Sequence, residues 1–180
     1  DATAFDDNAG NSYAGITDAT TLSFTSADVD APTLSSSTPS DNATGVAVDA
    51  NIVLTFSEAV DVESGNITIK KSSDNSTVES IDVTSGLVTG SGTNQITINP
   101  TNNLASLTGY YLSIDATAFD DNAGNSYAGI TDATTLNFTS ADVVAPTLSS
   151  STPSDDATGV VADANIVLTF SEAVDVESGN

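Results

Sequence analysis

The chain has 180 residues, with 25 acidic side chains against two lysines and a net charge of −23. That balance excludes nucleic-acid binding, which needs clusters of Lys and Arg on phosphates, and it excludes attraction to anionic membrane surfaces. With neither His nor Cys, the common nucleophile–base pairs and disulfides are missing, and the expectation is a protein that is not an enzyme.

In chain order, the signals are those of short strands. Residues 22–24 (LSF) are the first, and residues 33–38 end at Pro39 as an edge strand would. Residues 51–56 (NIVLTF) alternate Ile52, Leu54 and Phe56 against Val53 and Thr55, and residues 66–70 (NITIK) alternate Ile67 and Ile69. Two weaker runs, residues 78–83 and 87–89, flank Ser85 and Gly86. Residues 95–99 (QITIN) stop at Pro100, and residues 103–107 are expected to form a single helical turn. Residues 110–114 (YYLSI) put Tyr110, Leu112 and Ile114 on one face, and residues 135–139 (TLNFT) do the same with Leu136 and Phe138. Residues 166–170 repeat the 52–56 pattern. Period-two alternation of β-branched and aromatic residues, punctuated by Gly, Asn, Asp and Ser, indicates half-buried antiparallel strands. No run approaches the ~18 apolar residues of a membrane span, so direct membrane insertion is not expected.

The last third of the sequence is the first third again. Residues 115–180 repeat residues 1–66 with five changes: Ser23/Asn137, Asp30/Val144, Asn42/Asp156, Ala47/Val161 and Val48/Ala162. The offset, 115 less 1, is 114 residues, about the size of one domain, which indicates tandem modules. Boundaries are expected at Ala31-Pro32 and Ala145-Pro146. Residues 1–30 then form the C-terminal part of one repeat, residues 31–144 a complete domain, and residues 145–180 the N-terminal part of the next. The chain starts at Asp1 without Met or a signal peptide, and is expected to be a fragment or a mature segment. The strands at 22–24 and 166–170 are expected to lack partners within the chain.

Several motifs carry a family resemblance. They are Pro32…Pro39, Gly45-Val46, the TFSEAV run ending at Val60, LTGYYLSI from Leu107 to Ile114, and DDNAGN from Asp120 to Asn125. In that order they resemble a bacterial immunoglobulin-like repeat of the S-layer and giant-adhesin type. The resemblance implies an all-β fold of tandem immunoglobulin-like antiparallel sandwiches. It also implies an extracellular, cell-surface structural protein, with Tyr110 or its rival Tyr111 at the tyrosine corner.

In that topology the loops at residues 57–65 and 115–133 meet the incoming linker at one pole. Asp28, Asp30, Glu58, Asp61, Glu63, Asp120, Asp121 and Asn125 are therefore candidate Ca²⁺ ligands, since Ca²⁺ takes six to eight oxygen ligands. The competing reading is that Asp and Asn are there because turns need them. The spacing does not fit an EF-hand. Asn42, Asn66, Asn75 and Asn137 begin N-x-Ser/Thr sequons, expected by chance in a chain of this composition. Lys70 or Lys71 offers at most one inward amine for an isopeptide crosslink.

Three functions follow as expectations. The first is extender repeats in the stalk of a large bacterial adhesin or filament, stiffened by calcium. The second is a filament or S-layer subunit completed by strands from identical chains. The third is an accessory module of a secreted polysaccharide-degrading enzyme, for which Tyr13, Tyr110, Tyr111 and Tyr127 are the only stacking candidates. Expected partners are neighbouring repeats or identical chains, with any glycan or protein target bound by other domains.

Overall fold

A computed structural model describes residues 4–176; the outermost residues of the two flanking repeat copies, 1–3 and 177–180, lie outside them. Among the described residues the regular structure is all β. Ten strands make the central sandwich: β1 (Leu34–Thr38), β2 (Ala43–Val46), β3 (Ile52–Val62), β4 (Asn66–Lys71), β5 (Thr77–Asp82), β6 (Val88–Thr89), β7 (Thr93–Ile98), β8 (Gly109–Ile114), β9 (Phe119–Asp121) and β10 (Asn137–Ser140). The next repeat adds β11 (Leu148–Thr152) and β12 (Val167–Phe170).

One sheet runs β1-β3-β7-β6, with β9 also paired to β3; the other runs β2-β10-β8-β4-β5. Alternation places one side of each strand inward. Ile52, Leu54, Phe56 and Val60 from β3 and Ile96 and Ile98 from β7 meet Ile67, Ile69, Leu112, Ile114 and Phe138 from the facing sheet, all buried. Phe56 lies 5.3 Å from Phe119 and 5.2 Å from Tyr127 by ring centroids, the latter edge-on, within the favoured range for aromatic pairs. Tyr110 takes the corner role: its hydroxyl accepts a hydrogen bond from the Ala105 N–H at 2.8 Å, whereas the Tyr111 hydroxyl donates to Asn75.

Four sequence-based expectations are corrected. Residues 57–65 are not simply a loop, because β3 continues to Val62. Its far end gains a partner in β9, with Val60, Asp61 and Val62 opposite Asp121, Asp120 and Phe119. Residues 103–107 form no helical turn; they are irregular and end in a turn where Leu107 has φ 46°. The 166–170 strand does have a mate, since β12 pairs with β11 in the register that β3 takes with β1. Residues 22–24 form no strand, and Leu22 and Phe24 are 71% and 90% exposed. Their counterparts Leu136 and Phe138, 114 positions on, are 1% and 2% exposed.

Candidate metal centre

Three of the eight candidate ligands come together. Asp28 arrives on the linker, Glu58 stands on β3, and Asp121 ends β9. Each offers a carboxylate oxygen, and these oxygens lie within 4.8 Å of one another. They border an open recess of about 340 Å³, completed by Ala59, Asn122 and Ala123. The β3–β9 pairing builds this arrangement. Val60 and Asp121 sit opposite each other, and Glu58, two residues before Val60, has the same strand parity. Both acidic groups thus fall at the rim where the core ends.

Pleating separates the others. Asp61 and Asp120 are also cross-strand partners, but with opposite parity to Val60 and Asp121 they project from the other face of the strand pair. Asp61 accepts a hydrogen bond from the Ser91 hydroxyl at 3.3 Å. Glu63 is exposed beyond the end of β3. Asp30 stays on the linker, where its backbone N–H is bound by Asp28 Oδ1 at 3.1 Å. The second linker repeats this bond from the Val144 N–H to Asp142. The joint uses the backbone at this position, which is why Asp can become Val there.

Asn125 braces the site. Its side-chain amide donates to Asp121 at 2.8 Å and to the Asp28 carbonyl at 3.4 Å. Asp121 Oδ1 accepts from the Ala123 and Asn125 N–H groups, each at 2.8 Å. These bonds, led by those from Asn125, hold the Asp121 carboxyl below its ordinary value. Three of the roughly four acceptor positions of a carboxylate are thereby used for the turn. The same turn closes around Asp7 in the flanking repeat, with bonds from Ala9 and Asn11. The loop is therefore encoded locally; what distinguishes Asp121 is the company of Glu58 and Asp28.

Glu58 answers to that company. Desolvation first, then the charges of Asp121, Asp28 and Asp30, raise its carboxyl above the ordinary 4.5. The deprotonated form is thus disfavoured by folding. The stabilising contribution of protonated Glu58 is fully present below 4.5 and is lost as the pH rises through the raised value. At neutral pH the cluster is left with uncompensated negative charge.

The arrangement fits a hard divalent cation. Oxygens on one Ca²⁺ at about 2.3–2.6 Å lie at most about 5 Å apart, a limit the three carboxylates meet. A bound ion would supply the positive charge the cluster lacks; waters and backbone carbonyls would have to complete its shell. Asp115 and Asp132, also acidic residues of this loop region, are used elsewhere, the first on the start of β4 and the second in a local turn. Asp115 accepts from the Asn66 N–H at 2.8 Å, and Asp132 accepts from Thr134 and Thr135. Composition and order in the sequence could name the acidic segments; only the strand parity sorts them.

The joint recurs at the second linker. Thr33 and Ser57 exchange hydrogen bonds of 2.8 and 3.0 Å, and Thr147 and Ser171 repeat them at 2.8 and 2.9 Å. Glu172, the counterpart of Glu58, reaches Asp142, the counterpart of Asp28. Asp142 also accepts from the Ser106 hydroxyl at 3.0 Å, which ties the linker to the sandwich it leaves.

A family model described as a bacterial Ig-like domain matches residues 28–140 and again residues 142–180. Among solved structures, CopC from Methylosinus trichosporium OB3b is similar at 18% identity over 63% of this chain and 97% of its own, with a TM-score of 0.46. The S-layer protein rSbsC(31-844) is similar at 18% identity over 67% of this chain, with a TM-score of 0.39. The chain spans 16% of that S-layer structure's length. No curated protein matches the chain.

Proposed function

The chain belongs to the bacterial Ig-like domain family, and from that we infer that it is a stretch of structural spacer repeats in a large secreted or cell-surface bacterial protein. The observation that carries this reading is the repeated joint. Two linkers 114 residues apart make the same Asp turn and the same Asp–Glu approach. A spacer needs copies joined alike, and near-identical copies give that. Each joint is short and ends in Pro, which restricts hinge freedom. The repeats would hold another domain, which does the binding, away from the cell. The accessory-module reading has little support, because Tyr110, Tyr111 and Tyr127 are buried and a single exposed ring, Tyr13, makes no sugar platform. Electron micrographs of chains built from several 114-residue units should show isolated rods; ordered sheets would speak for a lattice subunit instead.

Within this reading, Ca²⁺ held by Asp28, Glu58 and Asp121 stiffens the joint by neutralising the cluster. Melting in Ca²⁺ should exceed melting in EGTA, by about 2.7 kcal/mol of stability at a hundredfold excess over Kd. Glu58→Gln should act in opposite directions in the two media. Without cation it should raise the melting temperature at neutral pH and remove the gain otherwise seen as the pH falls toward 4.5. With Ca²⁺ it should lower the melting temperature. Equal melting of the parent chain in both media would refute the cation.

A further inference from the structure

Among the described residues, four that are not glycine have a positive φ. Three of them, Asn42, Asn75 and Asp156, are of the types that tolerate it, because a short polar side chain can bond locally. The fourth is Leu107, at φ 46°. A leucine there crowds its own backbone, at a cost that Gly or Asn would reduce or avoid. Nor does the intact sandwich gain core packing in return, since the Leu107 side chain is 66% exposed. The core leucine of this stretch is Leu104, 7% exposed and three residues earlier. Backbone strain persists only where the surroundings over-determine it, and it collects at functional positions.

The turn that holds Leu107 is tied to the outgoing linker. The Leu107 N–H donates to the Ala141 carbonyl at 3.2 Å. Ser106 Oγ donates to Asp142 and accepts from the Val143 N–H, each at 3.0 Å. The Thr108 N–H donates to Ser140 Oγ at 3.0 Å, which fixes the other side of the turn. Asp142 is in turn reached by Glu172 of the next repeat. Ser106, Asp142 and Glu172 thus form a line of side chains from one repeat into the next, and Leu107 stands beside its first member. At the other end of that line a recess awaits. Glu58, the counterpart of Glu172, borders the open recess of about 340 Å³, whose apolar part is made by Ala59 and Ala123. Ala173 is the counterpart of Ala59 in the next repeat.

We propose that Leu107 is a docking knob for the repeat that follows it, seating in that repeat's recess against the counterparts of Ala59 and Ala123 and fixing the angle between the two domains. The partner is the next copy of the same domain along the chain. The contact rests on the spacer reading, in which each repeat is followed by a complete one. Burying the leucyl side chain at the joint offsets the strain of its backbone. Asn or Gly would relax the turn but leave the recess unfilled. The contact is apolar, so it needs no cation and is not screened by salt.

The test compares Leu107→Asn and Leu107→Met with the parent in two settings. In the 180-residue chain, which does not include the counterpart of Ala123, only the strain is read. There Leu107→Asn should raise the folding equilibrium constant about fivefold in urea melts. In chains of four 114-residue units, measured in EGTA by small-angle X-ray scattering, the same substitution in every unit should reduce the radius of gyration and broaden the distribution of lengths. Leu107→Met keeps a long apolar side chain and should match the parent there. Four-unit rods of equal stiffness in parent and Leu107→Asn would overturn the contact while leaving the spacer reading intact. So would a Leu107→Met rod as loose as Leu107→Asn, or a loss of stability from Leu107→Asn in the 180-residue chain, which would assign the side chain to its own sandwich. A parent whose repeats fold back on one another would remove the spacer reading and this contact with it.

Discussion

Phe56→Ala should destabilise the sandwich by about 3–5 kcal/mol, while Phe170→Ala, the same residue one repeat later, should leave its melting unchanged. Phe56 is 2% exposed and carries two aromatic contacts, to Phe119 and Tyr127. Truncation would remove both rings' partner and leave a cavity that strands β3 and β9 cannot close, because their backbone pairing fixes their separation. A domain of this size has only about 5–15 kcal/mol to lose, so the variant should be partly unfolded at moderate temperature. Phe170 has the same neighbours in sequence but no β9 or Tyr127 of its own repeat within the chain. Urea melts followed by near-ultraviolet circular dichroism would check both. Equal losses from the two substitutions would mean that the flanking segment is part of the cooperative unit.

Gly129→Ala should cost about 2–4 kcal/mol, from a left-handed backbone combined with overlap. Gly129 has φ 76°, and a Cβ there would lie 2.4 Å from the Ile114 carbonyl oxygen and 2.9 Å from the Ala116 nitrogen. Both obstacles are backbone and cannot rotate away. The close approach is what lets Ile130 exchange backbone hydrogen bonds with Ile114 at 2.8 and 2.9 Å. That bridge anchors the long loop in which β9 and Asp121 sit, so the substitution should also disperse the acidic cluster. Gly15, the counterpart in the flanking repeat, has nearly the same φ of 79°, and Gly15→Ala should leave the sandwich's melting unchanged. Thermal melts of the two variants provide the comparison.

Much of the fold is legible in the sequence because the long strands write their period plainly. β3, β4, β7 and β8 carry Ile, Leu and Phe on alternate residues, and the structure puts those residues inside. β2 and β9 are not legible. ATGV has no alternation, and FDD reads as the start of a turn; each is a strand only because β10 or β3 lies beside it. The second of these, β9, decides how the acidic residues group. Reading residues 57–65 as a loop allows Glu58, Asp61 and Glu63 to point together. Once β3 runs on to Val62, parity sends Glu58 toward Asp121 and turns Asp61 toward Asp120. Asp28 was legible as a linker acid, but its approach to Glu58 depends on the Thr33–Ser57 hydrogen bonds, which no local pattern announces.

The central claim is that these repeats act as a spacer with like joints. Small-angle X-ray scattering on chains of one, two and four 114-residue units, each measured in Ca²⁺ and in EGTA, tests it most directly. The account predicts a maximum dimension that grows by the same increment with every unit added, and a narrower spread of lengths in Ca²⁺. A maximum dimension that levels off as units are added would show repeats folding back on one another, and would contradict it.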